Sequence, residues 1–174
     1  MIETIIFVIG SVGIVWISIP SLRQPGSHGF YRFFAWEIIL GLSMINLQSW
    51  FVNPFSWYQI ISWILMVVCL IPVIYGVFLL RTVGKPTDQL EATIHLVTKG
   101  IYQSIRHPLY ASLIYLAWGI FFKSPSLLGF CLASVSTGFL YATARADESE
   151  CLVKFGSEYT VYMKKTKMFI PFVL

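Results

Sequence analysis

The sequence predicts an all-α integral membrane protein with five transmembrane helices and a cytoplasmic C-terminal amphipathic helix. Of its 174 residues, 57% are apolar and only 11% are charged, whereas an average soluble domain has about 25% charged residues. The charge-free stretches are long enough to cross a hydrocarbon core of about 30 Å. This composition argues against a soluble enzyme, a disordered tail and a nucleic-acid-binding protein.

The first three predicted helices occupy the N-terminal part of the chain. Thr4 to Pro20 is free of charge, and between Phe33 and Leu80 the only charged residue is Glu37. The second stretch accommodates two crossings of about 20 residues each, at a rise of 1.5 Å per residue. Asn53-Pro54 separates them, because proline disfavours helix in the residue before it.

The fourth and fifth helices form a hairpin, from Pro108 to Phe122 and from Ser124 to Ala144, joined at Lys123-Ser124-Pro125. The fourth is short, about 24 Å from His107 to Phe122. Its cytoplasmic end could open into a protein-lined cavity. Alternatively, the hairpin could tilt in a locally thinned bilayer.

Basic residues predict the orientation, because lysine and arginine concentrate on the cytoplasmic side of a membrane. Five crossings place the termini on opposite sides. With the N-terminus outside, 11 of the 12 basic residues lie inside and only Lys123 lies outside. We therefore expect a multi-pass protein of the cell membrane in a prokaryote, or of the endoplasmic reticulum in a eukaryote.

Two organisational halves follow from this layout. Residues 1–80 hold three transmembrane helices, and residues 81–174 hold a polar loop, the hairpin and the C-terminal helix. Cys69, Cys131 and Cys151 lie far apart without metal-site spacing, so the sequence predicts no disulfide and no metal.

The second predicted helix contains one ionisable residue, Glu37, and two amide side chains, Asn46 and Gln48. Glu37 is either a functional group by default, or a side chain near the cytoplasmic end that reaches the interface. We expect Asn46 and Gln48 to supply interhelical hydrogen bonds.

The polar loop ends in a run from Lys99 to Tyr110 in which Pro108 suits the first turn of a helix. The free N–H groups of such a turn attract negative charge or acceptors. Arg106 and His107 stand at its mouth, and Tyr110 lies one turn further in. The alternative interpretation is interfacial anchoring.

The tail after Arg145 has an apolar helical face that can lie on the membrane or on the loop. Gly156 should divide this helix. Asp147 and Glu148 come where the fifth helix leaves the bilayer, and acids in that position are also common as merely solvated groups. The apolar face consists of Cys151, Leu152, Phe155, Tyr159 and Tyr162.

The order of these motifs resembles the isoprenylcysteine carboxyl methyltransferase family and, more distantly, the phospholipid N-methyltransferases. The resemblance covers about residues 94–171. It consists of Gly100-x-Tyr102-x-x-x-Arg106-His107-Pro108-x-Tyr110, then a hydrophobic hairpin, the acidic pair, and Phe155-Gly156-x-x-Tyr159-x-x-Tyr162.

The resemblance implies a membrane enzyme that uses S-adenosylmethionine without a Rossmann domain, and the 12 glycines indeed include no G-x-G. It makes residues 81–174 the catalytic half. By position, it assigns cofactor binding to His95, Leu96, Val97, Tyr102, His107, Pro108, Leu109, Tyr110, Asp147 and Glu148. It assigns catalytic roles to Arg145, Glu148 and Arg106.

Two positions depart from the family pattern. Asp147 stands where glutamate is usual, so Glu148 could take over its role. Thr143 stands where arginine is usual, and the nearest arginine is Arg145. The role of orienting the substrate therefore goes to Arg145, with Arg106 as its rival.

The resemblance favours carboxyl O-methylation of a lipophilic, isoprenylcysteine-like substrate that enters from the bilayer. A carboxylate is already ionised near neutrality and requires no general base, whereas an amine must first lose a proton. The alternatives are a phospholipid or other lipophilic amine or thiol as acceptor, a non-catalytic membrane subunit, or a haem carrier. His28, His95 and His107 all lie on polar segments, which argues against haem.

Overall fold

The computed structural model describes residues 2–87 and 93–171. Within these ranges the chain forms six α-helices and no β-strand, apart from isolated bridges between Pro86 and Thr93 and between Ile105 and Lys167. The all-α prediction is therefore confirmed. The helices are α1 (Ile2–Leu22), α2 (His28–Ile45), α3 (Trp57–Leu79), α4 (Pro108–Phe121), α5 (Leu127–Phe155) and α6 (Ser157–Lys165).

Short irregular turns flank the helices. Leu47–Ser49 and Gly100–Gln103 are 3₁₀ turns, and α3 continues into a π-helical turn at Leu80–Gly84. The predicted break before α3 is present, with Asn53 at a φ of 48°. The predicted loop 81–107 includes residues 88–92, which lie outside the described residues.

Among the described residues, three helical segments are long and apolar enough to cross a membrane, namely Glu3–Leu22, Trp57–Gly84 and Leu127–Phe155. Pro108–Phe121 is apolar but shorter, as expected. The five crossings, their sidedness and the division at residue 80 stay predictions. α5 continues eleven residues past the predicted end at Ala144, because residues 145–155 contain neither glycine nor proline.

The chain divides into two compact units. The first comprises Met1–Met66 and Ile114–Asp147, and the second comprises Val67–Leu113 and Glu148–Leu174. α3, α4 and α5 each contribute residues to both units, so neither unit is a continuous half of the chain.

In the first unit, polar side chains link neighbouring helices. Glu37 lies in the middle of α2, not near its end, and accepts a hydrogen bond of 3.0 Å from the Ser11 hydroxyl of α1. The interhelical bond expected of Gln48 is present, to Glu3 at 2.9 Å. An interhelical hydrogen bond was also expected of Asn46. Its side-chain amide instead donates to the Leu42 carbonyl of α2.

Lys123, the only basic residue predicted outside, is folded into the first unit and is 1% exposed. Its Nζ donates to Gln59 Oε1 at 3.1 Å and lies 3.3 Å from the centre of the Trp63 ring. Gln59 in turn donates to the Lys123 carbonyl at 3.0 Å. Burial lowers the pKa of this lysine. The turn between α4 and α5 is thereby tied to α3.

In the second unit, the loop after α3 folds back onto the end of that helix. Gly84 makes this possible, since a Cβ there would lie 2.6 Å from the Thr93 side chain. The apolar cluster that results contains Leu80, Val97 and Tyr102, with Leu79, Val83, Ile101 and Leu109 packed against it.

Candidate functional site

The backbone from Gly100 to Pro108 positions the motif residues of the second unit. Gly100 has a φ of +59°, a conformation that favours glycine, and it opens the 3₁₀ turn that buries Tyr102. Pro108 then begins α4, as the sequence predicts. Gly76 of α3 lets the motif approach closely, since a Cβ there would lie 3.1 Å from Leu109 Cδ2.

Arg106 and Glu148 form a buried ion pair between residues 42 positions apart. Arg106 Nε and Nη2 both donate to Glu148 Oε1, at 2.8 and 2.7 Å, and the side chains are 10% and 3% exposed. A buried pair of this kind tolerates the loss of one partner poorly, since the other charge is left without compensation.

His107 and Tyr110 complete a polar cluster with this pair. His107 Nε2 lies 3.5 Å from Glu148 Oε1. The imidazole stacks on the Tyr110 ring, with centroids 5.5 Å apart and planes at 17°, and Phe169 packs beside it at 6.3 Å. His107 and Tyr110 are only 4% and 2% exposed. We call Arg106, His107, Tyr110 and Glu148 the polar cluster.

The C-terminal segment lies directly on the motif. Arg106 N–H donates to the Lys167 carbonyl at 2.8 Å, His107 N–H donates to the Met168 carbonyl at 3.1 Å, and Lys167 N–H donates to the Ser104 carbonyl at 3.1 Å. The Arg106 guanidinium also donates to the carbonyls of Thr166 and, at 3.2 Å, Met163. Its donors are thus directed to groups within this unit.

Tyr162 joins α6 to the loop. Its hydroxyl donates to the Tyr102 carbonyl at 2.7 Å, and burial raises the pKa of this phenol well above its usual value. Tyr162 therefore remains a hydrogen-bond donor near neutral pH. The sequence left open whether the apolar face of the tail lies on the membrane or on the loop. Tyr162, which belongs to that face, lies on the loop.

The remaining predicted site residues are placed as follows. Val97 and Leu109 belong to the apolar cluster around Tyr102. His95 is exposed and donates its backbone N–H to the Gly84 carbonyl at 3.1 Å, and Leu96 is half-buried. Arg145, which is exposed, and Asp147, which is half-buried, belong to the first unit. Their predicted roles stay predictions.

Sequence reasoning missed five residues that contact the polar cluster: Met163, Thr166, Lys167, Met168 and Phe169. A signal for Thr166 was available, because it continues the spacing of Tyr159 and Tyr162 at seven and four residues, on one helical face. No comparable signal marked Phe169, since its contact with His107 depends on the path of the backbone after α6.

Comparison with known proteins places residues 57–157 in one family. A family model described as phospholipid methyltransferase matches those residues. The chain is also similar to the methanethiol S-methyltransferase of Crocosphaera subtropica (strain ATCC 51142 / BH68), with 26% identity over 145 residues. That match covers 81% of this chain but 55% of the relative, so the chain spans about half of the relative's length. No solved structure matches the chain.

Proposed function

We propose that this chain, which belongs to the phospholipid methyltransferase family, is an integral membrane methyltransferase that uses S-adenosylmethionine. One observation carries the proposal. His107, Tyr110 and Glu148, which the family resemblance assigns to cofactor binding, converge in one buried cluster although they come from different helices and segments.

The chemistry of these side chains fits such a cofactor. The carboxylate of Glu148 can accept hydrogen bonds from an amino group or from ribose hydroxyls. The rings of Tyr102 and Tyr110 can stabilise a sulfonium through their π faces, by about 0.5–2 kcal/mol. Val97 and Leu109 supply apolar surface for the adenine ring of the cofactor. When bound, the cofactor would supply an activated methyl group.

A carboxylate is the first candidate acceptor, from the resemblance to isoprenylcysteine carboxyl methyltransferases. The protein then has to orient the acceptor, and an arginine fork suits that task. Because Arg106 is directed to Glu148 and to backbone carbonyls, we assign the orienting role to Arg145, which is exposed on α5. Proximity and orientation would supply most of the rate.

A lipophilic thiol is the second candidate, favoured by two observations. The relative is named as a thiol methyltransferase, and His107 Nε2 lies 3.5 Å from Glu148 Oε1. A thiol with a pKa of about 8.5 is mostly protonated at neutral pH and must lose its proton before attack. We assign the role of accepting that proton to His107, beside Glu148. A lipophilic amine would make the same demand.

Calorimetric titration of the purified protein with S-adenosylhomocysteine tests the cofactor assignment. We expect saturable binding, and folded protein that fails to bind would contradict the proposal and favour a non-catalytic subunit. An absorbance spectrum of the same sample tests for haem.

The acceptor is tested with radiolabelled methyl donor and membrane extracts. A methyl ester releases its label in base, whereas a thioether or methylamine does not. Base-labile product supports the carboxylate, and base-stable product supports the thiol or amine.

We further propose that the acceptor enters from the bilayer and the cofactor from the cytoplasm. The 11-to-1 distribution of basic residues supports this orientation.

A further inference from the structure

We propose that Lys164, Lys165 and Lys167, the lysine cluster, bind anionic phospholipid headgroups and thereby hold the C-terminal strap, residues 163–169, on the polar cluster. The inference concerns an interaction surface and its partner. Only its consequence for cofactor binding rests on the proposed function.

Burial divides the strap and α6 into two sides. Tyr159, Tyr162 and Thr166 are 3%, 7% and 6% exposed, whereas all three lysines are exposed. Residues 159–171 contain no aspartate or glutamate, so no acidic side chain within this segment offsets the charge of the cluster. The result is a short stretch with three positive charges on its exposed side.

Each lysine borders a contact that fastens the strap. Thr166, which lies between Lys165 and Lys167, accepts hydrogen bonds from the Arg106 guanidinium through its carbonyl and hydroxyl. The backbone of Lys167 itself donates to Ser104 and accepts from Arg106. Restraining the lysine side chains therefore restrains the groups that dock on Arg106.

The surroundings of the cluster point to a lipid surface and not to a soluble anion. Val161 is 51% and Ile170 is 39% exposed, so apolar side chains flank the lysines on both sides in the sequence. α6 also follows α5, whose apolar part is long enough to cross a membrane. Lysines beside apolar side chains suit the boundary between headgroups and acyl chains, where basic residues gain from anionic lipid.

Hydrogen exchange tests the inference without requiring any activity. The full-length protein is placed in nanodiscs of phosphatidylcholine, with or without phosphatidylglycerol, and exchange is followed in peptides covering residues 104–107 and 163–169. We expect phosphatidylglycerol to slow exchange in both peptides. In the triple variant K164Q/K165Q/K167Q, the protection factor that phosphatidylglycerol adds should be at least about tenfold lower. K164R/K165R/K167R, which keeps the charge, should retain it.

Inorganic phosphate added to phosphatidylcholine nanodiscs distinguishes a free anion from a lipid headgroup, and we expect it to give no protection. Protection by phosphate alone, equal exchange in both lipids, or full protection in the glutamine variant would each overturn the inference.

Binding of S-adenosylhomocysteine in the same nanodiscs separates this inference from the proposed function. We expect tighter binding in the anionic bilayer for the native protein and the arginine variant only. Lipid-dependent exchange without any binding would contradict the proposed function alone. Binding with lipid-independent exchange would overturn the lysine cluster's role alone.

Discussion

Arg106 holds together three parts of the second unit that are far apart in the sequence. Its side chain contacts Glu148 of α5 and the carbonyls of Met163 and Thr166, while its backbone N–H donates to Lys167. Breaking a buried ion pair by removing one partner costs about 3–5 kcal/mol. The motif arginine is therefore structural in this unit, whatever else it does.

Replacing Glu148 by glutamine removes the charge but nearly keeps the shape. We expect at least about tenfold weaker binding of S-adenosylhomocysteine, because the amide leaves Arg106 uncompensated and is a poorer acceptor. Calorimetry measures the affinity, and circular dichroism melting in detergent measures the stability. Glu158→Gln, at an exposed position on α6, is the matched control, and equal losses of affinity in both variants would show that Glu148 has no special role.

Single variants should distinguish the role of Arg106 from the role of Arg145. Arg106→Ala should lower the unfolding free energy by about 3–5 kcal/mol, whereas Arg145→Ala should leave melting and cofactor affinity unchanged and reduce turnover. Melting curves and methyl-transfer assays measure the two effects. If Arg145→Ala keeps normal turnover, Arg106 becomes the candidate for orienting the substrate.

α3 approaches the motif closely at Gly76, where a Cβ would lie 3.1 Å from Leu109 Cδ2. A larger side chain would have to displace Leu109, Pro108 or Tyr102. The absence of a side chain at Gly76 thus allows a helix and the motif to pack together.

Gly76→Leu should therefore destabilise the second unit by about 1–3 kcal/mol through overpacking, and should weaken binding of S-adenosylhomocysteine. Gly41→Leu is the matched control, because nothing lies within 4 Å of a Cβ at Gly41. Melting and titration of both variants check the prediction. A Gly76→Leu protein with native affinity would mean that the motif does not depend on this contact.

The turn between α4 and α5 is held by Lys123, whose ammonium lies between Gln59 and the Trp63 ring. Lys123→Met keeps the length of the side chain but leaves the Gln59 carbonyl oxygen without this donor. We expect a loss of about 1–3 kcal/mol in unfolding free energy. Lys99→Met, at an exposed position, should melt like the native protein. Indistinguishable melting of the two variants would contradict the prediction.

The orientation of the whole chain can be tested with single cysteines in a background lacking Cys69, Cys131 and Cys151. Ser124 and Ser157 are both exposed but are predicted on opposite sides of the membrane. An impermeant maleimide should label Ser124→Cys in intact cells, and Ser157→Cys only after lysis. The reverse pattern would invert the proposed topology.

Helix positions were largely predictable because they depend on local chemistry. Charge-free stretches predicted α1, α3 and α4, Pro108 marked the first residue of α4, and Gly156 marked the break before α6. The end of α5 was missed, because the charged residues after Ala144 ended the apolar stretch without ending the helix. Apolarity and helicity are separate properties, and only the first shows directly in composition.

What the sequence determined by itself was the class of protein, the order of its helices and the residue types available for chemistry, since each follows from composition or near neighbours. Tertiary structure alone decided that Arg106 faces Glu148 and that Lys123 is buried. It also decided that Thr166 and Phe169 reach the motif. Such contacts join residues tens of positions apart, and they depend on how helices pack, which no local pattern encodes.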